Sequence, residues 1–500
     1  MKKIINFVGM HEVPALEEAV QYSKQNDKVF FVACDKTIRV CQHNPFGSVL
    51  RCMFCNYAMK RLIKKIGANI YYVSISELIT NEIIKISNRI TWEYNDVKSL
   101  KEIKYKGIEV GYGAFSTYVT ITRNVMPSFT QSFKRYIDYI IKKEIILSEV
   151  LFKYCDYIKP DLIIFHNGRF NNVKPIYNIA KNYGIDYIAT ECKVKDGRLK
   201  KNNFVNTIPH SFDALDKKIE YTWQTANESK YDIAKLFFTN RRNSKPAGDI
   251  VYTKDQHVGE LPDGFDKSKR NISIFNSSED EFFAISKEYD QSVLYPNQFE
   301  ALSKIFEHYK NNSDIHFYLR IHPNLKNVPY KSHTLLYTLK YDNVTIIPPL
   351  STISSYALMD NSEKVIVFNS TMGLESGYWG KPVINLNRCI YSKQDIAYSP
   401  QNESELFNLI DDTGLQTKKQ PIENWYKVAY YLLGNGGEDY KYYRPLISEK
   451  KLFKYKLHIN SVFKILGSSF LYALVFGFIS FASQIGVGTL FTKKQVYNSK

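Results

Sequence analysis

Short apolar runs alternate with amphipathic helical stretches along most of this chain, and that alternation constrains the fold more than any other feature. Ile4–Val8 reads as a strand, Pro14–Ser23 as a helix and Val29–Ala33 as a strand. Tyr57–Ile66 reads as a helix, Asn69–Val73 as a strand, and Ser132–Tyr157 as a long helix with apolar residues at three- and four-residue steps. Leu162–Phe165, Val173–Tyr183 and Tyr187–Thr190 continue as strand, helix, strand. A polar stretch, Asn240–Arg270, then interrupts; it holds Pro246 and Pro262, carries Arg241, Arg242 and Lys245 near its start, and reads as a linker. Alternation resumes with strands at Ile272–Phe275, His316–Ile321, Val344–Ile347, Val365–Phe368 and Val383–Asn385, with helices between and after them. Strands separated by helices imply parallel sheets with crossover connections. The expected fold class is α/β: two Rossmann-like lobes with a cleft between them, followed by an apolar C-terminal segment. The expected boundaries are 1–239 for the first lobe, 240–270 for the linker, 271–445 for the second lobe and 446–500 for the tail.

Charge narrows the partners. Across 500 residues the formal net charge is +17, which favours anionic ligands such as nucleotide phosphates, acidic lipid or an acidic polymer. No aromatic-basic module supports nucleic-acid binding. Seven cysteines, an odd number, do not make a disulfide framework, and the apolar run after Met1-Lys2-Lys3 is too short for a signal peptide. The catalytic part is expected in the cytoplasm. Ile465–Thr492 carries no formal charge. As a helix it would be ~42 Å long, enough to cross a bilayer core of ~30 Å. Lysines flank it on both sides, more of them upstream, so it is expected to hold the protein at the cytoplasmic face of the membrane, spanning it or lying on it.

In the second half, Phe317-Tyr-Leu-Arg320-Ile-His322-Pro323-Asn324 places an arginine and a histidine at the carboxyl end of a strand, where open α/β sheets bind ligands. Such a donor pair suits a phosphate; a histidine bonded to a nearby carbonyl is the alternative. Val365-Ile-Val-Phe-Asn369-Ser370-Thr371-Met372-Gly373-Leu-Glu375 reads as strand, hydroxyl turn and helix. Ser370 or Thr371 would cap that helix, and the N–H groups of its first turn would face an anion. Glu375, one turn further, is placed to accept from ribose hydroxyls. Asn276-Ser277-Ser278-Glu279 forms a polar loop suited either to the donor or to a solvated turn.

These motifs, together with Pro348-Pro349-Leu350-Ser351, Ser354-Ser355-Tyr356-Ala357-Leu358-Met359 and the continuation to Gly380-Lys381-Pro382-Val383, resemble those of bacterial capsule polysaccharide biosynthesis glycosyltransferases. That group includes the Kdo transferases of capsule linkers, which have the GT-B arrangement. The resemblance is strongest over Asn271–Asn385. It implies that Arg320, His322, the Ser370–Thr371 turn, Gly373, Asn276 and Ser277 bind the nucleotide sugar, with Glu375 on its ribose and CMP as the favoured nucleotide. Ser376 stands where the family pattern has alanine.

In the first half, Phe165-His166-Asn167-Gly168-Arg169 ends a strand in a polar turn, and Glu191 ends the next strand. This pattern looks like the acceptor lobe of the same group, with Asn167 and Arg169 on the acceptor side. Transfer to a hydroxyl needs a base if it inverts, and Glu191 or His166 could supply it; Arg169 could instead pair with Glu191. Gly111-Tyr-Gly113-Ala-Phe-Ser116 resembles a loop admitting the acceptor, or reads as an ordinary glycine turn. Cys34, Cys41, Cys52 and Cys55, spaced C-x6-C-x10-C-x2-C, could hold a structural zinc, or serve as redox or merely apolar residues.

The expectation is a glycosyltransferase that needs no cofactor for catalysis. It would move a sugar from a nucleotide donor to a lipid-linked or growing surface polysaccharide, with His322, His166 and Glu191 as candidate catalytic residues. A UDP-sugar 2-epimerase, a CDP-polyol phosphotransferase and a non-catalytic scaffold of the same machinery are the alternatives.

Overall fold

The computed structural model describes residues 1–442 apart from 8–12, 67–68, 196–197, 249–250, 291–293, 327 and 329–330. The expected tail at 446–500 therefore lies outside the described residues. Among the described residues, no helix is long and apolar enough to cross a membrane.

The chain divides into two compact units. Among the described residues the first comprises 1–192, 201–209 and 438–442; the second comprises 193–200 and 210–437. This division differs from the expected one. The helices Phe212–Gln224 and Lys230–Arg242 belong to the second unit because Trp223, Phe237 and Phe238 share a core with Trp425, Val428 and Ala429. Residues 240–270 lie inside that unit too, with Ala247 and Val251 buried, so they join no lobes.

The first sheet has strands β1 (Lys3–Phe7), β2 (Lys28–Ala33), β3 (Ile70–Ser74), β4 (Leu162–His166), β5 (Asp186–Lys195) and β6 (Arg198–Val205), with the end of β5 and the start of β6 counted in the second unit. They form one sheet in the order β3-β2-β1-β4-β5-β6, and the pairings from β3 through β5 are parallel. Strand β1 is central, and its Ile4 packs with Phe31, Ile164 and the apolar face of helix Val13–Lys24. Helix Gln131–Ile158 starts at Thr130, whose hydroxyl accepts from the Phe133 N–H at 3.3 Å. Sequence periodicity placed these elements to within a few residues. It missed β6 and the helices Asn81–Arg89, Val97–Glu102 and Val110–Thr122.

The last of these corrects an expectation. Gly111, Gly113 and Ser116 form no loop; all three are buried inside helix Val110–Thr122. The glycines are there for close approach. A Cβ on Gly111 would lie 1.9 Å from the Leu100 carbonyl oxygen, and one on Gly113 would lie 2.0 Å from Glu144 Oε1. Because a backbone atom blocks the first position, Gly111→Ala is expected to cost about 1–3 kcal/mol of stability or more, measured by urea unfolding.

Glu144 is fully buried on that glycine, and neither carboxyl oxygen has a hydrogen-bond partner among the described residues. Burial holds its pKa well above the ordinary 4.5, opposed only in part by the charge of buried Lys174. The unfolded chain releases this proton above about pH 4.5 while the folded chain retains it, so the group costs stability as pH rises. Glu144→Gln should therefore raise stability at pH 7 by about 1 kcal/mol or more, and the gain should shrink as the pH is lowered toward the ordinary carboxyl range. Urea midpoints of both proteins across that range check the sign.

The second unit holds β7 (Arg270–Phe275), β8 (Ile315–Arg320), β9 (Val344–Ile347), β10 (Lys364–Val367) and β11 (Val383–Asn385). They form an all-parallel sheet in the order β11-β10-β7-β8-β9. One face packs Ile272, Ile274, Phe317 and Leu319 against helix Gln298–Tyr309; the other packs Phe275, Tyr318, Val365 and Val367 against helix Ser355–Asp360. The strand order turns back between β7 and β10, which puts a crevice at the carboxyl ends of those strands.

Candidate functional site

That crevice is occupied by a pocket of about 540 Å³, open to solvent, whose walls come entirely from the second unit. Strand β7 delivers Phe275 and Asn276, β8 delivers Arg320 and the following His322, and the β10 turn delivers Ser370 and Thr371. Asn369 makes that turn possible by taking a left-handed φ of 58°, which asparagine tolerates. Ser370 then caps helix Thr371–Tyr378, its hydroxyl accepting from the Met372 N–H at 3.2 Å. The positive end of the helix thus opens on the pocket wall.

Arg320 dominates the electrostatics. Its guanidinium is buried, donating from one terminal nitrogen to the Ile353 carbonyl (3.1 Å) and from the other to the Ser351 carbonyl (2.9 Å). Nε is buried and has no hydrogen-bond partner among the described residues. Burial alone pushes the pKa down to about 10, so the group remains charged at neutral pH. The one carboxylate among the described lining residues, Glu375, is engaged elsewhere: it bonds Arg241 Nε at 2.9 Å and accepts from the Tyr356 hydroxyl. Among the described lining residues the charges therefore sum in favour of the positive, with Arg320 beyond the Arg241–Glu375 pair.

His322 is fixed from both sides. Its N–H donates to Asn276 Oδ1 at 2.7 Å, and its Nδ1 accepts from the Asn324 N–H at 3.1 Å. A neutral imidazole in this setting carries its proton on Nε2. The Tyr252 ring meets it edge-on, with centroids 5.1 Å apart.

Of the second-half residues expected at the site, the pocket brings together Asn276, Arg320, His322, Ser370, Thr371 and Glu375. Two do not reach it. Ser277 is buried behind the wall, its hydroxyl accepting from Gln298 Nε2 at 3.0 Å. Gly373 is buried in its helix, where a Cβ would lie 2.2 Å from the Tyr391 hydroxyl. Sequence reasoning missed Arg241, Tyr252, Gln256 and Tyr356. Arg241 ties the wall together, bonding Thr371 Oγ1 at 3.1 Å as well as Glu375. Its signal was available: the apolar spacing of Ala234, Phe237 and Phe238 carries the helix to Arg242, past the start of the supposed linker.

In the first unit, the ends of β4 and β5 gather a second polar group. Asn167 at φ 65° and Gly168 at φ 93° make the tight turn after His166. Asn167 Nδ2 donates to Glu191 Oε2 at 2.7 Å, and the Cys192 N–H donates to Glu191 Oε1 at 3.1 Å. His166 Nε2 lies 3.6 Å from that same Oε1, and its Nδ1 is buried with no hydrogen-bond partner among the described residues. Arg169 donates to Thr120 Oγ1 at 3.3 Å and lies over the Phe170 ring.

The four clustered cysteines do not make a ligand set here. Among the described residues, no three His, Cys, Asp or Glu side chains converge to hold a metal. Cys52 accepts from Asn44 Nδ2 at 3.2 Å, and burial pushes the Cys41 thiol up to about 12, which keeps it protonated.

Residues 276–409 match the profile of a family described as capsule polysaccharide biosynthesis protein. No match was found among curated proteins. Among solved structures, the β-Kdo 2,7-transferase of Thermosulfurimonas dismutans KpsC is 14% identical over 56% of this chain and 80% of its own, with a TM-score of 0.33. The β-Kdo 2,4-transferase of the same protein is 13% identical over 54% of this chain and 79% of its own, with a TM-score of 0.35. The calicheamicin glycosyltransferase CalG4 is 9% identical over 90% of this chain and 97% of its own, with a TM-score of 0.25. At these scores the likenesses carry no weight for function.

Proposed function

We propose that this chain is a glycosyltransferase of surface-polysaccharide assembly whose donor, a nucleotide sugar, binds in the pocket of the second unit; residues 276–409 match the profile of a family described as capsule polysaccharide biosynthesis protein. What supports this reading is Arg320: a buried cation in the lining of an open pocket, beside His322 and the first turn of helix Thr371–Tyr378, where the one carboxylate among the described lining residues is paired with Arg241. Leaving such a charge uncompensated is costly, and a phosphate is the complement that removes the cost.

In this reading the bond between the sugar's anomeric carbon and the donor phosphate breaks as a bond to an acceptor hydroxyl oxygen forms. Arg320, the imidazole of His322 and the end of helix Thr371–Tyr378 stabilise the charge on the departing nucleotide phosphate. His166 beside Glu191 in the first unit receives the hydroxyl proton. A GT-B-like division of labour belongs to the same proposal, with donor on the second unit and acceptor on the first. So do the finer assignments: CMP as nucleotide, a lipid-linked or growing polysaccharide as acceptor, and the cytoplasmic membrane face as the place of work.

Calorimetric titration with CMP, CDP, UDP and GDP tests the pocket, with His322→Ala as control. CMP is expected to bind, and its affinity to fall about tenfold in the variant, the loss of one hydrogen bond to a charged group. UDP binding in place of CMP would redirect the reading to hexosamine transfer or epimerisation. If no nucleotide binds, the transferase reading is lost and a scaffold takes its place.

A further inference from the structure

One surface of the first unit has no part in either polar cluster. Helix Val49–Ile66 buries Met59 against the core and leaves Leu50, Met53, Phe54 and Tyr57 exposed, at 67%, 50%, 70% and 62%. Phe46, just before the helix, and Val49 at its start are exposed as well. At 100° per residue, positions 49, 50, 53, 54 and 57 share one arc of the helix, so these apolar side chains form a continuous ridge. A soluble surface scatters its exposed apolar residues singly; a contiguous set this size marks a contact.

The charge around the ridge says with what. Arg51 and Lys60 are exposed beside it. The sequence of the helix contains five basic residues, Arg51, Lys60, Arg61, Lys64 and Lys65, and no acid. A second copy of the same face would bring like charges together. The uncharged Ile465–Thr492 segment could cover the ridge but would leave the basic residues unmatched. Anionic lipid satisfies both halves, with acyl chains around leucine and phenylalanine, tyrosine at the interface, and headgroups against arginine and lysine.

We infer that helix Val49–Ile66 is a membrane-docking element that lies in the interface of an anionic bilayer, with Leu50, Phe54 and Tyr57 inserted. The inference stands on this surface alone and does not depend on what the pocket binds.

The test uses the full chain and vesicles of phosphatidylcholine with or without phosphatidylglycerol. Two variants, Leu50→Ser/Phe54→Ser/Tyr57→Ser and Arg51→Glu/Lys60→Glu, are each expected to lower partitioning onto anionic vesicles about tenfold or more. In a third, Phe54→Trp, the added fluorescence should be quenched by lipids brominated on the acyl chain, against the baseline of the unchanged protein. Quenching reads residue 54 itself and is blind to any contribution from the C-terminal segment. The inference is overturned if the Phe54→Trp signal is unquenched on bound protein, if both multiple variants partition like the parent, or if the full chain ignores anionic vesicles. It is likewise overturned if the serine variant dissociates a dimer in light scattering, because a second copy then covers the ridge. Should the serine variant precipitate, the charge-reversal and tryptophan variants decide the matter.

Discussion

Replacing Arg320 with glutamine is expected to cut nucleotide affinity about 100-fold while leaving the unliganded protein nearly as stable as before. A hydrogen bond to a charged group contributes about 1.5–3 kcal/mol, and 1.4 kcal/mol is a factor of ten, so losing the cation that faces the phosphate reaches two decades. The unliganded protein has less to lose. Among the described residues its guanidinium is bonded only to the carbonyls of Ser351 and Ile353, and burial already works against the charge. Removing a desolvated, uncompensated cation offsets the loss of those two bonds. The pair of measurements is calorimetry with the nucleotide and a thermal melt with and without it. In the parent, saturating nucleotide should raise the melting temperature; in the variant the rise should vanish. An affinity unchanged within about threefold would place the phosphate away from this wall.

Glu375→Ala should do the opposite and damage the fold first. The carboxylate is 1% exposed and held between Arg241 and Tyr356. Truncating one partner of a buried pair leaves the other charge stranded, at a typical cost of about 3–5 kcal/mol. Urea unfolding measures this directly. The cycle with Arg241→Met is expected to give a coupling of about 2 kcal/mol or more, because each single variant strands the other's charge. This separates two roles that the sequence could not. If the cost is below about 1 kcal/mol, the carboxylate is not a strut of the wall, and the expected contact with ribose becomes its main duty. Glu375→Gln, which keeps the shape, then reports on the ribose by calorimetry.

The strand ends were legible because they are local. Arg320-Ile-His322-Pro323 and Asn369-Ser370-Thr371 each announce a strand that stops in polar residues, and the pocket gathers both. The parallel sheets followed from alternation alone. What escaped was set by contacts distant in sequence. Gly111 and Gly113 have the look of a turn, but the spaces beside Leu100 and Glu144 demand a side chain of no size within a helix. Arg241 gives no local hint of a partner 134 positions away. The stretch 240–270 has the composition of a linker and is indeed mostly irregular, yet Tyr252 and Gln256 from it line the pocket. Composition shows that a segment is not helix or strand; it cannot show what the segment folds against.

The first unit is closed by residues far apart along the chain. Lys201 and Glu438 exchange backbone hydrogen bonds of 2.8 and 2.9 Å, and the Lys441 and Tyr442 N–H groups both donate to the buried carboxylate of Glu17. A ribosome that has released residues 1–209 has therefore not yet supplied these two N–H donors to Glu17. The second unit, continuous from His210 to Gly437 except for one short strand segment, can form before the first is closed. The contacts of the first unit are thus completed only when residues 438–442 have been made, after the chain of the second unit. A fragment ending near residue 239 would carry every strand of the first sheet and lack both the Lys201–Glu438 pairing and the Lys441 and Tyr442 N–H donors to Glu17.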